Sequence, residues 1–169
     1  AQDPVPAVRQ ELARTAARLG GAGTPILKNL LNDQDLAVRA EAIRQFAGQL
    51  DPDAFLPLST MILDPQLPAD LRKSLLTLLR VFPDKSGPVY EELLAQGPPE
   101  LQAEAIRAIG ADQAESRPLE FFLPFMQSPS APVRQMAALV ITRRRQELTP
   151  EHVQALLAAK AAEARLLAV

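Results

Sequence analysis

Five stretches of the chain repeat one arrangement of polar and apolar positions. Each opens on a polar turn residue, reaches an Arg or Gln that directly follows Val or Leu, and continues as an amphipathic run. The copies begin at Asp3, Asp33, Asp64, Gln96 and Ser128, and their anchors are Arg9, Arg39, Arg72, Gln102 and Arg134. Successive anchors lie 30, 33, 30 and 32 residues apart, and the third copy carries two extra residues between turn and anchor. A steady period of this length is the mark of stacked supersecondary units.

After every anchor, apolar residues stand three, four and seven positions on. They are Leu12, Ala13 and Ala16; Ala42, Ile43 and Phe46; Leu75, Leu76 and Leu79; Ala105, Ile106 and Ile109; and Ala137, Ala138 and Ile141. This is one stripe of a 3.6-residue period, so each copy predicts a helix with one buried face. We call these the B helices. Between them lie shorter apolar runs, most of them opened by proline: Thr24-Pro25, Asp51-Pro52, Gly87-Pro88, Arg117-Pro118 and Thr149-Pro150. A cap-like residue ahead of a first-turn proline starts a helix. These runs therefore predict A helices, and most of the 16 prolines punctuate helices rather than break them. Pro57 and Pro124 fall inside apolar runs and are expected in a first turn or at a kink. The chain is thus expected to be all-α: about five antiparallel A–B pairs whose faces are buried by stacking into an α-solenoid.

The Asp-x5-Arg turn, as in Asp3–Arg9 and Asp33–Arg39, and the Ala/Leu/Ile-rich helix after it resemble HEAT repeats. The likeness is to the short bacterial kind found in phycobilisome-lyase-type proteins, and it covers residues 1–169 as a single repeat domain. It implies an Asp–Arg ladder between neighbouring repeats and B helices lining the inner face of a superhelix. Carried over by position, the ladder residues are Asp3, Arg9, Asp33, Arg39, Asp64, Arg72 and Arg134; Gln96, Gln102 and Ser128 depart from the pattern. The sequence opens at a B helix, and Ala164-Arg165 looks like a sixth anchor. The expectation is a segment of a longer array, or an end that a partner covers.

Composition narrows the chemistry. At 47% apolar and 22% charged residues, the chain is globular rather than disordered. No apolar run is long enough to span a membrane. The lack of cysteine excludes disulfides, thiolate metal sites and cysteine nucleophiles, and leaves cytoplasmic and exported locations equally open. A net charge of -2 points away from nucleic acid as the main partner. HEAT-like DNA glycosylases of the alkylpurine type are basic and use aromatic residues, whereas this chain has no Trp. His152, the single histidine, is expected exposed in the first turn of an A helix, with no second histidine to complete a metal site. The iron-binding His-Glu motifs of HEAT-like deoxyhypusine hydroxylases are missing. The carboxylates Glu91, Glu92, Glu100, Glu104, Glu115 and Glu120 are expected on helix starts and solvent faces. Gly20-Gly21-Ala22-Gly23 follows a helix and reads as a C-cap and turn. No catalytic residue, metal or cofactor is expected.

What remains is a surface. Two and five positions after the anchors stand Glu11/Arg14, Glu41/Arg44, Ser74/Thr77, Glu104/Arg107 and Met136/Leu139, pointing away from the buried stripe. Glu and Arg three apart pair on a helix. Arg18 and Gln45 extend this face in the first two copies. In the fifth copy Met136, Leu139 and Val140 are expected exposed ahead of Arg143-Arg144-Arg145, an apolar patch edged by charge. The candidate contacts for a protein or peptide partner are therefore Glu11, Arg14, Arg18, Glu41, Arg44, Arg107, Met136, Leu139, Arg143 and Arg144. The expected function is a non-enzymatic interaction scaffold. The alternatives are a lyase- or chaperone-like factor for a cofactor-bearing protein, by resemblance, and a structural spacer within a larger enzyme.

Overall fold

The computed structural model describes residues 3–49, 51–111 and 117–157, and every regular element among them is helical. The helices are α1 (Pro6–Arg18), α2 (Thr24–Leu30), α3 (Leu36–Gly48), α4 (Phe55–Leu63), α5 (Ala69–Leu76), α6 (Pro83–Gln96), α7 (Pro99–Ala111), α8 (Ala131–Arg143) and α9 (Pro150–Leu157). Short 3-10 turns join or replace them at Gly20–Ala22, Pro52–Ala54, Thr77–Val81, Leu119–Phe121, Leu123–Gln127 and Arg145–Glu147. The chain divides into two compact units, Ala1–Gly87 and Pro88–Val169. Among the described residues no helix is long and apolar enough to cross a membrane. The sixth anchor at Arg165 and the carboxylate Glu115 lie outside the described residues.

All five anchors occupy the fourth position of their helices, α1, α3, α5, α7 and α8. The residues three, four and seven places later are buried, except Leu12 and Ala138, which are half-buried. The reason for the fixed register lies in the turn before each helix. Asp3, Asp33 and Asp64 each accept the backbone N–H two residues on, at 2.8–2.9 Å. Ser128 Oγ accepts from Ser130 N in the same way at 3.2 Å. This local closure needs a short side-chain acceptor, and Ser supplies one as Asp does. It also presents the turn residue's own carbonyl to the anchor: Arg9 to Asp3 O (2.6 Å), Arg39 to Asp33 O (2.7 Å) and Arg134 to Ser128 O (2.9 Å).

The third and fourth copies solve the problem differently. Arg72 donates to Ile62 O (2.6 Å) and Gln102 to Leu94 O (3.1 Å), carbonyls in the last turns of α4 and α6. A donor there satisfies a carbonyl left open by the helix end. The ladder expectation is therefore corrected at Arg72. Arg72 Nε is spent on Ile62 O, and the carboxylate of Asp64 serves its own turn.

In the first unit the hydrogen bonds between α1 and α3 climb in step. Arg9 reaches Asp33 ahead of α3, Arg14 reaches Glu41, and Gln49 at the end of α3 reaches Ala17 O (2.8 Å). The two helices therefore run in the same direction, and α2, packed on both, returns between them. Leu27, Leu30, Ile43 and Phe46 are fully buried there. The return is tight. Gly20 takes the left-handed conformation (φ 57°) after α1, and a Cβ on Gly23 would sit 1.8 Å from Ala16 O. One difference from α3 stands out on α1: Val8 is 48% exposed, while its counterpart Val38 is fully buried.

In the second unit α7 packs on α8, and α8 and α9 both pack on the 3-10 turn at Leu123–Gln127. A Cβ on Gly110 would lie 2.5 Å from Val140 Cγ2, so the C-terminal ends of α7 and α8 meet at this glycine. The proline expectations hold at Pro57, in the first turn of α4, and at Pro124, at the start of its 3-10 turn. Pro88 is a correction. It does not open a helix but lies inside α6, which starts five residues earlier at Pro83. That helix is nucleated by Phe82 O, which accepts from Lys85 N and Ser86 N.

Candidate functional site

On the first unit, α1, α3 and α5 enclose an open groove of about 460 Å³, lined by Gln10, Arg14, Asp35, Leu36, Ala37, Ala40, Glu41, Arg44 and Leu71. Ala37 and Ala40 line it with no more than a methyl group each. Leu36 and Leu71 add apolar surface beside the charged residues. The position is set by the anchor register. Glu41 and Arg44 stand two and five residues beyond Arg39, and Arg14 stands five beyond Arg9.

The charges form one chain of contacts. Glu41 Oε1 accepts from Arg14 Nε (3.1 Å) and Gln45 Nε2 (2.9 Å), and Oε2 accepts from Arg44 Nη1 (3.2 Å). Arg14 Nη1 also donates to Glu11 Oε2 (3.0 Å). Glu41 is buried at 8% exposure, which corrects its expected place on a solvent face. The arginines of α1 and α3 close over it from both sides. Burial pushes its carboxyl up, but the hydrogen bonds from Gln45 and Arg14 and the two guanidinium charges outweigh this and hold it below the usual carboxylate range. The bonds that Arg14 donates to Glu11 and Glu41 raise its own pKa.

Arg9 and Asp33 form a second, enclosed pair beside the groove. Nε and Nη2 of Arg9 meet both oxygens of Asp33 at 2.8 Å, with side-chain exposures of 3% and 6%. The hydrogen bond from Arg9 leads the effects that keep Asp33 ionised below its ordinary range. This is the contact of one copy's anchor with the next copy's turn. Asp3 and Arg39 do not share it: Asp3 accepts from Val5 N, and Arg39 bonds the carbonyls of Asp33 and Gln34.

The remaining candidates separate into exposed and engaged groups. Arg18 and Arg143 are exposed. Met136 is half-buried, and Leu139 is 40% exposed. Val140 is buried against Gly110, not exposed as expected. Glu104 is likewise buried and pairs with Arg107, whose pKa that bond raises. Arg144 is engaged within the unit: it donates to Arg117 O (2.7 Å), forks onto Glu147 and lies over Phe122. It is therefore withdrawn from the partner surface.

His152 is also corrected. It is buried, because its ring turns back to cap its own helix. Nδ1 accepts from Thr149 N (3.1 Å), while Thr149 Oγ1 accepts from His152 N (3.4 Å). This is a capping box with an imidazole in the place usually taken by Glu or Gln. Nε2 lies 2.8 Å from Glu120 Oε1. The Thr-Pro-Glu-His spacing is visible in the sequence, but His is not among the usual capping-box partners. Among the described residues, no group of His, Asp or Glu is arranged to hold a metal ion. No protein-family model and no curated protein matches this chain.

Proposed function

We propose that the chain is a HEAT-like solenoid that binds a protein or peptide partner on the face formed by its B helices. The groove across α1, α3 and α5 carries this reading, because three successive B-type helices contribute to one cleft. Its volume falls in the range of binding sites, about 300–1,000 Å³. The anchor register supports the repeat assignment. Five helices place their anchor, Arg in four and Gln in one, at the same position, and α1 and α3 run in one direction with a returning helix between them. The kind of site supports binding: ion pairs around a buried carboxylate orient side chains towards an open cleft.

The test is site-specific photo-crosslinking. A photoreactive residue at Gln10, inside the groove, should capture a partner from the source cell. The same residue at Leu56, 72% exposed on α4, should not. Equal capture from both positions, or none from Gln10, overturns the reading.

A further inference from the structure

We propose that the groove between α1, α3 and α5 recognises an acidic side chain on an apolar peptide, with its carboxylate held by the free edge of Arg44 and by Arg14. This deepens the partner-binding reading above and rests on it.

The observation behind it is a surplus of donors. Each oxygen of Glu41 already accepts, one of them twice. Asp35 Oδ1 accepts from Ala37 N and Val38 N at the start of α3. The guanidiniums keep unused capacity. Arg14 spends Nε on Glu41 and Nη1 on Glu11, leaving Nη2. Arg44 spends only Nη1, so its Nε–Nη2 edge has no protein partner among the described residues. That edge is the fork that takes a carboxylate through two parallel bonds. Both arginines are near 40% exposed and Glu41 is near 10%, so the donors face the opening while the acceptor lies beneath them.

The surroundings decide which anion fits. Asp35 and Glu41 balance Arg14 and Arg44 among the lining residues, so the cleft is neutral before a ligand enters. A single carboxylate meets a matched pair of donors, whereas a polyphosphate backbone brings several charges against Asp35 and Glu41 and is repelled. Leu36 and Leu71 in the lining suit apolar neighbours of the acid, which sets a peptide apart from a free small acid. Glu41 acts as a positioning residue, since it holds Arg14 and Arg44 from one buried carboxylate and limits the ordering that binding must still impose.

The test is fluorescence anisotropy on the full chain with a labelled peptide of alternating Glu and Leu. The matched Gln–Leu peptide, free acetate as competitor and labelled oligothymidylate serve as comparison arms. The Glu–Leu peptide should bind about tenfold more tightly than the Gln–Leu peptide, and R44Q should remove that difference. R14Q should reduce it by a smaller factor. R145Q, an exposed arginine of the second unit, should leave it unchanged. Circular dichroism of R44Q should match the parent, because Arg44 is exposed and the buried Glu41 keeps its bonds from Arg14 and Gln45. Equal binding of the two peptides, no binding of the Glu–Leu peptide, full retention in R44Q, tighter binding of oligothymidylate, or competition by acetate at equal carboxylate concentration would each overturn the proposal. If it fails while Gln10 still crosslinks to a partner, the binding face stands and only its chemistry is wrong. If Gln10 captures nothing, both fall.

Discussion

Two contacts between neighbouring B-type helices use the same repeat pattern and hold together by different means. Between α1 and α3 the contact is electrostatic: an enclosed Arg9–Asp33 fork and a buried Glu41 reached by Arg14. Between α7 and α8 it is steric: Gly110 lets Val140 close to a distance that no side chain would permit. Helix packing needs complementarity, and either charge or shape supplies it. The difference teaches that the repeat specifies where helices meet but not what joins them. It also makes the two contacts separable by experiment.

The largest effect should come from the apolar core of the first unit. F46A removes a fully buried ring and should cost about 3–5 kcal/mol by chemical denaturation. A loss below about 1 kcal/mol would mean that the α1–α3 contact rests on its ion pairs alone. Next comes R9A, which leaves Asp33 buried without its partner. The melting temperature should fall by several degrees, and R9K should not restore it, because an ammonium cannot grip both oxygens.

At the steric contact, G110A should cost about 1–3 kcal/mol through overpacking against Val140. V140A added to G110A should cost less than the two single changes summed, since each relieves the other. Strict additivity would show that the glycine is not needed for the approach. The smallest effect under mild conditions is pH. Asp33 and Glu41 are held below the usual carboxylate range when folded. The stability they contribute is present above an unfolded value of about 4 and is lost as pH falls through the folded values. Hydrogen exchange should therefore show α1 and α3 losing protection below about pH 4 while α7 and α8 keep theirs. Parallel loss in both would erase the distinction between charge and shape.

The periodic features were legible because they are local. An anchor four residues into a helix and an acceptor two residues before a backbone N–H depend on nearby sequence alone, and Asp33, Arg39, Ser128 and Arg134 can be read that way. The exceptions depend on neighbours far along the chain. Glu41 reads as a solvent residue from its own helix and becomes buried because Arg14 arrives from α1. Arg144 reads as a free cation at a helix end and is taken up by Arg117 O and Glu147. His152 was misplaced for a local reason, since its part in the capping box falls to an unusual residue type. The groove was legible as separate charges. Its unused Arg44 edge was not, because spacing does not say which nitrogen a neighbour occupies.

The stepwise contacts of α1 with α3 also bear on how the chain acquires its structure. The bonds from Arg9, Arg14 and Gln49 close loops of 24, 27 and 32 residues. Loop closure of that size is an early and rapid event, and its entropy grows only slowly with length. Each contact can therefore form as soon as the following copy has left the ribosome. The short reach of these bonds lets the first unit assemble during synthesis, copy by copy.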